Sequence, residues 1–183
     1  MKNIDFFELL SIILWLLLFV FWVVKSKKKG FLNEIAGLSK LLLSGLLLHV
    51  LIFLNFNYFS YKKFLTIKII GLGIIALGFF ICILARQYLS KNWSGKVAIQ
   101  KEHSLIINGP YKIIRHPIYS GVLIMMIGSS IIIGNLFCFI WVIFCFMGLY
   151  RKSKQEEHLL EKEFGEEYDK YKKGTKMMIP YLL

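Results

Sequence analysis

Between His103 and Gly121 the chain reads HSLIINGPYKIIRHPIYSG, and this stretch holds two of the three prolines in 183 residues. Asn108-Gly109-Pro110 is a turn sequence, and Pro117 suits the first position of a helix, which leaves His116 at its N-cap. A helix start presents unpaired N–H groups and partial positive charge, so with Arg115 and His116 beside it the place suits a carboxylate or a phosphate. The same residues also suit plainer work, anchoring a helix end among lipid headgroups. Arginine usage adds to the chemical reading. The chain has twenty lysines but only Arg86, Arg115 and Arg151, as expected where a planar, two-pronged donor is required. Glu156 and Glu157 stand four and three positions before Leu160, so on a continuous helix they extend its buried stripe. Inward carboxylates at a membrane boundary need partners, and Arg115, Arg151, a ligand ammonium or a ribose hydroxyl would each serve.

The elements that must position these groups are membrane helices. Of all residues, 57% are apolar or aromatic, against about 45–50% in soluble domains. The stretches without Lys, Arg, Asp or Glu run Leu9–Val24, Leu41–Tyr61, Ile69–Ala85 and His116–Tyr150. A bilayer crossing takes about 20 mostly apolar residues. The last run, at 35 residues, is too long for one helix and is divided by the turn pair Gly134-Asn135. Five spans are therefore expected, near 5–24, 39–60, 66–88, 117–133 and 136–152, the last two forming a helical hairpin. With the C-terminus inside, 19 of 23 basic residues are cytoplasmic, which orients the N-terminus outward. A signal peptide is disfavoured, because a lysine cluster and no small-residue cleavage site follows residue 24.

Charge and composition narrow the classes further. A net charge of +12 on a chain mostly in lipid points to topology and anionic headgroups instead of nucleic acid. Cys82, Cys138 and Cys145 lie inside apolar runs, as packing residues and not as disulfides or metal ligands. Seven of eleven acidic residues fall between Glu156 and Asp169, in a tail where Leu160, Phe164, Tyr168 and Tyr171 recur at helical spacing and Gly165 interrupts. That tail should lie on the bilayer surface or against the helix ends. Gly71, Gly78 and Ala85 make a small-residue packing stripe, and His49 is an intramembrane hydrogen-bonding residue.

At these residues the sequence resembles the isoprenylcysteine carboxyl methyltransferase family, related to the membrane phospholipid N-methyltransferases. The resemblance covers about residues 65 to 181. It rests on Leu84-Ala85-Arg86-Gln87, Trp93-Ser94, the His103-x-Leu105 to Gly109-Pro110-Tyr111 segment, Arg115-His116-Pro117-x-Tyr119-x-Gly121, Glu156-Glu157, Phe164-Gly165-x-x-Tyr168-x-x-Tyr171 and Ile179-Pro180, in matching order and spacing. Residues 1–60 carry no motif of the family; with the five spans the chain is expected to be an all-α, polytopic membrane protein with a cytoplasmic C-terminal helix, 1–60 an N-terminal two-helix segment and 61–183, where the resemblance lies, the methyltransferase core. The resemblance implies S-adenosylmethionine at the cytoplasmic face, with His103 and Leu105 against the adenine. Tyr111, Arg115, His116 and Tyr119 would surround the methionine end, and Glu156 or Glu157 would meet ribose or ammonium. The acceptor would be a lipophilic molecule from the bilayer, a prenylated cysteine carboxylate foremost, oriented by Arg86 or Arg151. With an amine acceptor Glu156 or Glu157 becomes a candidate base. No metal is implied. A phospholipid N-methyltransferase, a non-catalytic membrane partner and an NADPH-dependent sterol reductase-like protein are the alternatives.

The topology has a direct test. Asn135→Cys should react with an impermeant thiol reagent on intact cells, whereas Ser94→Cys and Lys154→Cys should react only after permeabilisation. Labelling at Ser94 on intact cells would invert the arrangement.

Overall fold

The computed structural model describes residues 5–25, 64–89 and 105–180. Among them the regular elements are helices: α1 (Phe6–Lys25), α2 (Leu65–Leu89), a 3₁₀ turn (Gly109–Lys112), α3 (Pro117–Ile133), α4 (Leu136–Phe164) and α5 (Glu166–Gly174). Three of these, α1, α2 and α4, are long and apolar enough to cross a membrane, and α3 is a shorter apolar helix of 17 residues. The expected span at 39–60, with His49, lies outside the described residues.

Helix α1 starts on a reciprocal cap. The Asp5 side chain accepts from the Phe7 and Glu8 amides, and the Asp5 amide donates to the Glu8 carboxylate, so orphan donors of the first turn are satisfied. Its buried stripe, Glu8, Ser11, Trp15, Leu18 and Trp22, recurs every three or four residues. Ser11 and Trp15 both reach the Ser129 hydroxyl on α3, at 3.2 and 3.1 Å. In an apolar surround such polar contacts fix which helix faces meet. Asp5 pairs with Lys68 at one end of α2, and the Lys25 carbonyl accepts from Arg86 at the other. Helices α1 and α2 therefore run in the same direction.

The closest packing joins α2 to α3, antiparallel, through the glycine stripe. A Cβ at Gly78 would stand 2.5 Å from the Gly121 carbonyl oxygen, and one at Gly128 2.6 Å from that of Gly71. Backbones this near admit only hydrogen, and the gain is dispersion contact along the whole seam. Cys82 packs into the same seam and donates to the Ile118 carbonyl. Helix α3 is the centre of the molecule, with nearly every residue buried.

The expected hairpin follows at Gly134-Asn135. Gly134 takes φ +67° as the left-handed C-cap of α3, and the Asn135 side chain accepts from the Phe137 amide to open α4. Helix α4 then runs unbroken for 29 residues, well past the apolar stretch that ends near Lys152, because Lys, Gln, Glu and Leu all favour the helix. Gly165, at φ +51°, ends it and turns the chain into α5.

The seam predicts a contrast between glycines. Gly121→Ala should destabilise the detergent-purified protein by about 1–3 kcal/mol, the usual cost of overpacking. Gly73→Ala, where a Cβ meets nothing within 4 Å, should leave the thermal unfolding midpoint unchanged or slightly raised. Equal midpoints for the two variants would contradict the packing.

Candidate functional site

The 3₁₀ turn and the extended residues after it carry the polar stretch to the start of α3, where His116 is the N-cap and Pro117 the first helical residue. The imidazole does not cap its own helix. It faces α4 instead, with Nδ1 3.5 Å from Glu156 Oε2 and Nε2 3.4 Å from Glu157 Oε1. Arg115 Nε donates to Glu157 Oε1 at 2.6 Å, while its Nη1 donates to the carbonyls of Thr175 and Lys172 at 2.5 and 3.3 Å. Tyr119, one turn into α3, donates its hydroxyl to Glu156 Oε1 at 2.6 Å and stacks on the His116 ring. Lys152 stands one turn before Glu156, its Nζ 3.8 Å from Glu156 Oε1 and 5.4 Å from the centre of the Tyr119 ring.

Successive helix residues diverge by about 100°, so the two carboxylates take different environments. Glu157 is 2% exposed and Glu156 20%. One is interior and one lies at the mouth. Near Glu157 are further buried polar groups: the Glu157 Oε2, Ser153 Oγ and Tyr168 Oη atoms have no hydrogen-bond partner among the described residues. Buried oxygens of this kind accept or donate readily to a ligand that brings the complementary group.

The tail closes the arrangement from below. Residues 113–116 and 176–177 pair as a short parallel bridge, with Lys176 N donating to Ile113 O, Arg115 N to Lys176 O and His116 N to Met177 O. Ser120 Oγ donates to the Met178 carbonyl, Tyr171 Oη to that of Tyr111, and Thr175 Oγ1 to that of Tyr171.

Electrostatics follow from this geometry. Burial alone would raise the Glu157 carboxyl, but the His116 and Arg115 donors outweigh it and hold it down at about 2. Burial alone would lower the imidazole, and here the Glu156 and Glu157 carboxylates outweigh it, raising His116 above its ordinary value. With His116 protonated, two cations face two anions in the buried part of the cluster.

Of the residues singled out from sequence, Tyr119, Arg115, His116, Glu156 and Glu157 meet here. Tyr111 is buried in the 3₁₀ turn, tied to the tail through its carbonyl. Arg86 is buried at the end of α2, near enough for its charge to act on the Tyr111 hydroxyl. Leu105 is half-buried in the loop before the turn. Arg151 is exposed and makes no ion pair among the described residues. His103 lies outside the described residues. Sequence reasoning passed over Lys152, although its spacing of four from Glu156 was a usable signal, and Ser120 and Thr175, which act through main-chain carbonyls that no side-chain pattern reveals.

The family model for the isoprenylcysteine carboxyl methyltransferase (ICMT) family matches residues 71–162. A rice protein (Oryza sativa subsp. indica) named "Probable protein-S-isoprenylcysteine O-methyltransferase" is 29% identical over 126 residues, covering 66% of this chain and 65% of its own length. The Schizosaccharomyces pombe protein-S-isoprenylcysteine O-methyltransferase is 28% identical over 170 residues, covering 88% of this chain and 71% of its own. A solved structure of the eukaryotic intramembrane Ras methyltransferase ICMT (isoprenylcysteine carboxyl methyltransferase) superposes with a TM-score of 0.63 at 25% identity, over 76% of this chain and 52% of that one. The chain thus spans just under two thirds of the rice relative and about half of the solved chain.

The cluster predicts a two-sided pH dependence of stability. Glu157, lowered from 4.5 to about 2 by folding, contributes stability that is present above pH 4.5 and lost as pH falls toward 2. His116, raised from 6.5, contributes stability that is present below pH 6.5 and lost as pH rises through its folded value. The thermal midpoint of the purified protein should be highest between those limits. His116→Gln should flatten the alkaline limb and Glu157→Gln the acid limb, and an unchanged alkaline limb in His116→Gln would show that another group sets it.

Proposed function

The chain belongs to the isoprenylcysteine carboxyl methyltransferase family, and from that premise we propose an integral membrane methyltransferase that uses S-adenosylmethionine and a lipophilic acceptor, the carboxylate of a prenylated cysteine or a similar lipid-linked acid. The observation that carries the reading is the pairing of Arg115 and His116 with Glu156 and Glu157 at the start of a buried helix. A zwitterionic amino acid needs a cation site and an anion site side by side, and this cluster offers both. The residues fit the cofactor in a second way, since the unpartnered Glu157 Oε2 and Tyr168 Oη suit its ammonium or ribose hydroxyls.

Bound there, S-adenosylmethionine would supply an activated sulfonium methyl group for in-line displacement. The chain's own residues bind and orient. His116 and the remaining Arg115 donor, Nη2, would hold the cofactor carboxylate, Glu157 and Glu156 its ammonium or ribose, and Tyr111 and Tyr119 would wall the methionine end. Leu105, with His103, would lie against the adenine. Arg86 would turn the acceptor carboxylate toward the methyl from the α2 side. A carboxylate is already ionised at neutral pH, so no general base is required and the rate comes from positioning and from excluding water.

The proposal includes five spans with the cofactor site and C-terminal helix at the cytoplasmic face. The shared direction of α1 and α2 supports it, because two spans running the same way are joined by an odd number of crossings. The excess of basic residues on one side supports the orientation.

Detergent-purified protein should bind labelled S-adenosylmethionine and not NADPH. Glu157→Gln should weaken that binding by about 1.5–3 kcal/mol, the range for a hydrogen bond to a charged group. Single-turnover transfer to a prenylcysteine analogue should be nearly flat from about pH 6.5 to 8.5, and the product should release methanol in alkali, as a methyl ester does. An alkali-stable product on phosphatidylethanolamine, formed at a rate that climbs with pH, would replace this reading with N-methylation.

A further inference from the structure

We propose that the outer side of the 3₁₀ turn and of the tail strap is a docking surface for anionic phospholipid, and that the leaflet thereby holds the strap in place over the Arg115–Glu157 pair. The proposal goes beyond the methyltransferase reading and does not depend on it.

The surface is made of two segments that the parallel bridge brings together. Along 113–114 the side chains alternate, with Ile114 buried at 7% exposure and Ile113 standing out at 58%. Lys176, whose amide donates to the Ile113 carbonyl, is exposed as well, and Met177 and Met178 after it are buried. Lys112, Ile107 before the turn and Ile179 on the strap are exposed beside them. None of the ion pairs among the described residues includes Lys112 or Lys176. Isoleucines beside unpaired lysines are the composition of an interfacial surface, whose apolar atoms enter the boundary of headgroups and acyl chains while the ammonium groups meet phosphate.

The placement agrees. The turn rests on the end of the membrane helix α2, where a Cβ at Gly109 would stand 2.6 Å from the Tyr88 ring. Tyr88 is exposed there, and tyrosine marks headgroup level at the end of a span. Charge agrees as well. Helix α5 has Glu166, Glu167 and Asp169 in its first turn and Lys172 and Lys173 in its last. Helix α4 carries the Gly165 bend about 18 Å past Lys152, so the acidic end of α5 is held off the bilayer and the basic end returns toward it.

The inner side of the same strap serves the buried cluster. The Thr175 carbonyl accepts from Arg115 Nη1, the Lys176 and Met177 carbonyls from the Arg115 and His116 amides, and the Met178 carbonyl from Ser120. A leaflet that binds Lys176 from outside steadies those carbonyls inside. Anionic lipid thus acts on the cluster without touching it.

Amide hydrogen exchange of the full chain in lipid nanodiscs tests this. With about a third of the phosphatidylcholine replaced by phosphatidylglycerol, the Arg115, His116 and Lys176 amides should exchange on the order of fivefold more slowly, the worth of one lysine at an anionic surface. Lys112→Gln combined with Lys176→Gln should abolish that slowing. The same double variant should leave exchange in pure phosphatidylcholine within about twofold of wild type, since exposed side chains without ion pairs add little to the fold. Equal exchange of the wild type in the two lipids overturns the proposal. So does a slowing that survives in the double variant, which would place the effect elsewhere on the protein. The same slowing produced by free glycerol phosphate in phosphatidylcholine discs also overturns it, because the surface would then be a site for a soluble anion.

Discussion

One guanidinium joins three parts of the chain that are far apart in sequence. Arg115 stands before α3, grips Glu157 on α4 with Nε and caps the end of α5 with Nη1. Its side chain is 8% exposed and that of Glu157 2%, so the pair is buried and its desolvation cost must be met by the hydrogen bonds around it. The tail carbonyls supply them to the guanidinium, and the His116 imidazole adds its charge 3.4 Å from Glu157 Oε1. If Arg115 were removed, Glu157 would be left as a buried charge with half its partners, and α5 would lose its tie to the helix ends. The placement of the acidic pair, the course of the tail and the orientation of His116 all follow from this contact.

The membrane part of the molecule answers a different requirement. Lipid is as apolar as leucine, so helices gain nothing by hiding leucines from it and must associate through shape and a few polar contacts. The α2–α3 seam uses shape, with Gly71, Gly78, Gly121 and Gly128 allowing backbone to meet backbone. The α1–α3 contact uses Ser11, Trp15 and Ser129. The seam meets α3 one turn from its start, at Gly121, and that start is where His116 and Arg115 are mounted.

How much of this was legible beforehand differs by element. The glycine stripe, the Gly134-Asn135 turn and the interruption at Gly165 could be read because each depends on local chemistry: a missing Cβ, a side-chain cap, a positive φ. The inward set of Glu157 was legible from its spacing to Leu160, whereas Glu156, expected on the same buried stripe, lies at the mouth; His116 as N-cap was legible from the proline after it. Partnership was harder. Nothing in the sequence says that Arg115 would take Glu157 while Arg151 faces outward, or that Lys152, one of twenty lysines, would border the rim. The strap of residues 175–178 is held almost wholly by main-chain groups, which every residue carries, so no pattern of side chains announces it.

The unbroken course of α4 has a consequence for depth. The helix begins at the hairpin turn on one side and carries Glu157 about 32 Å farther along its axis, at 1.5 Å per residue. It is a ruler whose zero is the turn at Asn135. The acidic pair is held at a set height and a set angular phase relative to that far end, and a single inserted residue anywhere between would swing both carboxylates by about 100°. The thickness of the surrounding bilayer, acting through the depth at which the hairpin settles, would therefore enter the alignment between the proposed lipid-borne acceptor and the groups proposed to meet it.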